Sequence, residues 1–135
     1  MLYSKIKDIN TFDNYFRHLY RIIKFVDETP LLKSSDDKSE DPNGDEMRGN
    51  YVDLVRSTLS DYELAVLFYN CLTTNGRAKF KPLIEKYTLF NNLRTDYLVK
   101  REDILEYDGK AYDKNILIDA YVDALSTQTS NEADA

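Results

Sequence analysis

Tryptophan is absent from this 135-residue chain, and histidine and cysteine occur once each, as His18 and Cys71. One His and one Cys exclude a zinc ion held by the usual His/Cys ligand sets. A lone thiol also excludes an internal disulfide framework and fits a reducing compartment. Glycine and proline are scarce, at four and three. That scarcity disfavours a turn-rich β-sandwich, and four scattered glycines build neither a Walker A loop nor a GxGxxG turn. No apolar run approaches the roughly 18–20 residues that a membrane-spanning helix needs. The start, Met1 to Lys5, carries no continuous apolar stretch of the secretory type. The expectation is a cytoplasmic domain with no membrane insertion by this chain.

What is present is globular material. Hydrophobic residues make up 42% and charged residues 31%, a balance that supports a packed core rather than disorder. With eleven Tyr and six Phe, aromatic burial must supply much of that core, each fully buried large side chain stabilising by about 1.5–3 kcal/mol. The net charge of −6 is unevenly placed. Residues 33–49 hold three cations (Lys33, Lys38, Arg48) and six anions (Asp36, Asp37, Glu40, Asp41, Asp45, Glu46), a net of −3. The tail adds Glu132 and Asp134, so the folded body is near neutral and free to carry a local cationic patch.

Hydrophobic periodicity predicts an all-α domain of five to six helices. Phe12, Tyr15, Phe16, Leu19, Ile22, Ile23 and Val26 recur at helical spacing, with Asn10 or Thr11 as N-cap and an end before Pro30. Residues 33–49, rich in Ser, Asp, Glu, Pro and Gly, offer too little burial to offset ordering entropy and read as a mobile acidic loop. A second helix is expected over 50–59. Ser60 and Glu63 have the spacing of a capping box and open a central apolar helix over about 60–74, carrying Leu64, Leu67, Phe68, Cys71 and Leu72. Asn75-Gly76 is read as its left-handed C-cap. Phe80, Leu83, Ile84 and Tyr87 imply a fourth helix, with Pro82 in or near its first turn. Residues 88–100 fit a short helix or packed turns, and Asp108-Gly109 marks a turn inside a hairpin or a helix–turn–helix. A last helix is expected from about Lys114, inward along Leu117, Ala120, Tyr121, Ala124 and Leu125. The domain is placed at 1–125 and a disordered tail at 126–135.

Catalytic chemistry finds few candidates. His18 lies beside Arg17 and Arg21 with no competent partner, and Cys71 falls on an apolar stripe, the position of a small buried hydrophobe. An EF-hand starting at Asp41 fails, because Glu46 stands where glycine is required and Val52 where a bidentate Glu belongs. The Arg-then-His spacing of helical toxin nucleases is missing. The reading therefore leans away from an enzyme and names no catalytic residue, cofactor or metal ligand. The remaining candidate is a cationic stripe, Arg17, Arg21 and Lys24 at i, i+4 and i+7 with His18 beside it. It is a partner-binding surface, or else a solvated face, or one paired internally with Asp13, Asp27 and Glu28. Nucleic acid could be held there by charge and by stacking on Tyr20.

Three runs, YFRHLYRIIKFVDE (15–28), LSDYELAVLFYNCLT (59–73) and GRAKFKPLIEKYTLFNNL (76–93), together resemble the C-terminal helical region of the phage abortive-infection family of bacteria. The resemblance covers about Thr11 to Leu93 well and the last forty residues loosely. None of these strings is a catalytic signature. The resemblance implies a role in anti-phage defence, in which infected cells stop growing or die before phage matures. Longer members look membrane-anchored, so the chain is expected to be either a cytoplasmic part of such a protein or a shorter soluble relative. The function expected is a non-enzymatic sensing and interaction module that meets a phage or host protein. An RNA-binding, toxin-like effector and a homo-oligomerising cytoplasmic domain are the alternatives.

Overall fold

In a computed structural model, the structure describes residues 9–30 and 44–133, and for 9–11, 74, 75 and 129–133 the backbone alone. Among the described residues there are six α-helices and no strand: α1 Ile9–Glu28, α2 Asp45–Arg56, α3 Asp61–Asn70, α4 Thr74–Lys79, α5 Lys81–Lys86 and α6 Ile116–Ala133. Short 3-10 turns at Thr95–Tyr97, Arg101–Glu106 and Gly109–Tyr112 link α5 to α6. The domain is all-α, as its periodicity predicts.

The second helix starts five residues earlier than the sequence suggests, so the final part of the 33–49 stretch is helix; residues 33–43 lie outside the described residues. Gly44 turns the chain in a left-handed conformation (φ 72°, ψ 17°), which costs glycine little. Asp45 and Glu46 then occupy the first turn, where the helix dipole favours anions. Arg48, a residue that the composition of the stretch assigns to solvent, is buried instead. Its Nε donates to the Val26 carbonyl at 3.1 Å and its Nη2 to the Thr29 carbonyl at 3.0 Å. These bonds satisfy carbonyls at the end of α1 and set α2 antiparallel to it.

The capping box at the start of α3 is formed. The Ser60 hydroxyl accepts from the Glu63 N–H and the Glu63 carboxylate from the Ser60 N–H, both at 3.1 Å. Five consecutive residues of α3, Leu64 to Phe68, are buried. The helix ends at Asn70 rather than near 74, and Gly76 is not its cap but lies inside α4. A Cβ on Gly76 would sit 2.7 Å from the Asn70 carbonyl oxygen and 2.7 Å from the Cys71 Cα. Glycine is there for the close approach of α4 to the end of α3. Pro82 occupies the first turn of α5, where its missing N–H is harmless.

Aromatic residues fill the core at the far end. Phe68, Phe90 and Tyr107 pack with ring centroids 4.8–5.6 Å apart. The Tyr107 hydroxyl donates to the Phe68 carbonyl at 2.7 Å and the Tyr112 hydroxyl to the Ile104 carbonyl at 2.8 Å, so each ring is buried with its polar end satisfied. Asn115 closes this end. Its amide donates to the Phe90 and Leu93 carbonyls, and its oxygen accepts the Ile118 N–H as the cap of α6. That cap sets the phase of α6: Ile118 is buried, whereas Leu117, expected inward, is exposed. The backbone stays helical to Ala133, past Ser126, where the sequence reading placed a disordered tail.

Candidate functional site

The inward face of α1 is narrower than its apolar pattern. Phe16, Leu19, Ile23 and Val26 are buried, but Tyr15 and Ile22, expected in the core, are 40% and 48% exposed. Tyr20 and Asp27, on one flank of that face, meet α5 and its flanking residues. Tyr20 packs on Phe80 with centroids 5.5 Å apart. The Asp27 carboxylate accepts from Lys86 Nζ and from the Tyr87 hydroxyl, both at 2.5 Å. Burial alone would raise the Asp27 pKa, but these two bonds and the Lys86 charge outweigh it and hold the carboxyl below its ordinary value. Burial and the Asp27 carboxylate push the Tyr87 hydroxyl well up.

On the same flank lies an open groove of about 640 Å³ between α1 and α4. Arg17 and Arg21 line one wall and Lys79 the other, with Asn70, Thr73 and Gly76 between them. The groove exists because Gly76 lets α4 fold tightly under the end of α3 while Tyr20 and Phe80 close its lower edge. All three cations are exposed. Among the described residues none of them has an ion-pair or hydrogen-bond partner. Asp13 also lines the groove, so three cations and one anion leave it at +2. A concave site lined mainly by one sign of charge concentrates the field and draws in anions.

The four candidate residues from the sequence do not act as one stripe. Arg17 and Arg21 share the groove. Lys24 leans over the Tyr20 ring, its Nζ 6.0 Å from the centroid. His18 is exposed and does not line the groove; helical spacing sets it beside Tyr15, Ile22 and Phe25 instead. Asp27, one of the three carboxylates considered as internal partners for these cations, is taken by Lys86 and Tyr87 instead. Lys79, the third cation, escaped the sequence reading because periodicity along one helix carries no information about a second helix packed against it.

Reactive groups lie elsewhere. Cys71 is fully buried, and burial pushes its thiol far above the ordinary value, which keeps it protonated and inert. The Tyr69 hydroxyl, desolvated and bonded to Asp103 at 2.6 Å, is pushed up to about 12. It also accepts the Val99 N–H at 2.8 Å, a bond that fixes the 3-10 region against α3. Among the described residues, no helix is long and apolar enough to cross a membrane. The site as built can hold an anionic group by charge and hydrogen bonds.

No curated protein and no solved structure matches the chain. A family model does match, over residues 7–98 of 135, a span that includes α1, the groove and its Lys79 wall. That family is described as "Putative phage abortive infection protein", and the chain belongs to it.

Proposed function

We propose that the domain serves anti-phage defence as a non-enzymatic sensing and interaction module on the cytoplasmic side, recognising an acidic segment of a phage or host protein. The observation that carries this reading is the groove in which Arg17, Arg21 and Lys79 stand exposed without an internal partner among the described residues. Three like charges around one concavity outnumber the single Asp13 carboxylate there, and the repulsion that remains is relieved by a bound anion. Lys24, over the Tyr20 ring at the edge of the groove, extends the contact surface along α1. A carboxylate-bearing peptide fits better than RNA, because the Tyr20 ring is already in contact with Phe80 and Lys24 and offers no free platform for a base.

The test is a double reversal, Arg17→Glu with Arg21→Glu, read out by plaque formation on a defended strain and by capture of the partner. All three groove cations are exposed, so the variant keeps its helical circular dichroism. Defence and capture are expected to fall by about tenfold or more, in the range of steered, charge-dependent contacts. Intact defence and capture in the folded variant would refute the reading. Binding of RNA at low salt that weakens steeply as salt rises would shift the assignment to the nucleic-acid effector.

A further inference from the structure

The second exposed feature of α1 is apolar and faces away from the groove. Tyr15, Ile22 and Phe25 lie on one side of the helix, with His18 among them, and Phe25 is 66% exposed. Antiparallel α2 runs alongside. Arg48 near its start is bonded to the end of α1, and Thr58 just past its end lies near Tyr15 at the start of α1. On α2, Val52 is buried while Tyr51 and Leu54 point outward, Leu54 at 66% exposure. The outward residues of the two helices therefore form one continuous apolar face over the α1–α2 seam.

We infer that this face is the contact between two copies of the chain, joined by a two-fold axis. Area selects a second copy. Five side chains, half exposed, present roughly 100 Å² each given about 150–250 Å² for a large side chain. That makes roughly 500 Å² per copy and 1,000 Å² for the pair, the threshold that a specific interface must clear. The same patch lies near the upper end of what a monomer leaves bare. An isologous contact uses this face up in both copies, so association closes at two.

The 135-residue protein tests this directly by light scattering coupled to size exclusion, and by sedimentation equilibrium at tens of micromolar. The expected mass is twice 15.8 kDa. Phe25→Asp and, separately, Leu54→Asp are both at exposed positions on different helices, and each should weaken association by about tenfold or more, as removal of a central apolar anchor does. Leu117→Asp, at an equally exposed apolar position on α6, should leave the dimer intact. A wild-type mass of 15.8 kDa throughout, a dimer that ignores Phe25→Asp and Leu54→Asp, or a dimer that Leu117→Asp also dissolves would each overturn the inference. The readout is mass alone, so it stands or falls separately from the groove.

Discussion

Asn115 offers the sharpest test of how the domain closes on itself. Its side chain makes three bonds to parts of the chain far apart in sequence: its amide donates to the Phe90 carbonyl at 3.2 Å and to the Leu93 carbonyl at 3.1 Å, and its oxygen accepts the Ile118 N–H at 3.3 Å. Asn115→Ala removes all three. The Phe90 carbonyl keeps the Leu93 N–H at 3.0 Å, so it is not orphaned. The Leu93 carbonyl loses its side-chain donor, at a cost of about 1–2 kcal/mol for a buried unsatisfied acceptor. The lost cap adds about 0.5–1 kcal/mol, at the low end because its bond is long. The total is about 2–3 kcal/mol, and at this chain length a melting temperature lower by roughly 10 °C. Asn115→Asp separates the two roles. It keeps the cap acceptor but points a carboxylate at two carbonyl oxygens, so at neutral pH it should be less stable than Asn115→Ala. The folded state raises the pKa of that carboxyl, so its penalty is present at neutral pH and shrinks as pH falls through the raised value toward about 3.9. Urea unfolding followed by far-UV circular dichroism at neutral and mildly acid pH measures both variants. An Asn115→Ala variant within about 0.5 kcal/mol of wild type, or an Asp variant more stable than the Ala variant at neutral pH, would refute the reasoning.

Two further outcomes follow from the packing of α1 and α4. Gly76→Ala should gain up to about 1 kcal/mol of helix propensity yet lose more, about 1–3 kcal/mol, because its Cβ would meet backbone atoms at 2.7 Å that cannot swing aside; a higher melting temperature for this variant would contradict the close approach of α4 to α3. Asp27 has a folded pKa below the ordinary 3.8, so its stabilisation is present above that value and lost as pH drops through the depressed one. Asp27→Asn should therefore lower stability at pH 7 and flatten the acid limb of a stability–pH profile, and an unchanged acid limb would show that the Lys86 and Tyr87 bonds do not hold in solution.

Much of the fold was legible because local rules and tertiary packing agree. The Ser60–Glu63 box, Pro82 in a first turn and the stop of α1 before Pro30 each depend on only a few neighbouring residues, and each is found. Where the reading failed, a distant contact decided. Arg48 looks like one more charge in a polar stretch, and only the carbonyls of Val26 and Thr29, about twenty residues upstream, make it a buried anchor and let α2 begin at Asp45. Asn75-Gly76 has the composition of a C-cap, but the same glycine serves equally where a helix must pass close to backbone, and no local signal separates the two uses. The phase of α6 depends on Asn115, whose partners at Phe90 and Leu93 belong to a region that periodicity left open.

The candidate site was half legible for the same reason. A helical repeat reports which residues share a side, but the side's neighbour decides what they become. On α1 the apolar arc is wider than the core uses, and the surplus, Tyr15, Ile22 and Phe25, lies toward α2 and solvent. The cationic arc splits as well, Arg17 and Arg21 meeting Lys79 in the groove while His18 falls among the surplus apolar residues. A helix selected only to fold would carry neutral polar side chains at these positions, because exposed apolar area invites association and clustered cations repel. α1 bears both burdens on opposite flanks of one buried stripe. The stripe accounts for the fold, and the flanks are what a defence protein with a partner to recognise and a second copy to hold would keep.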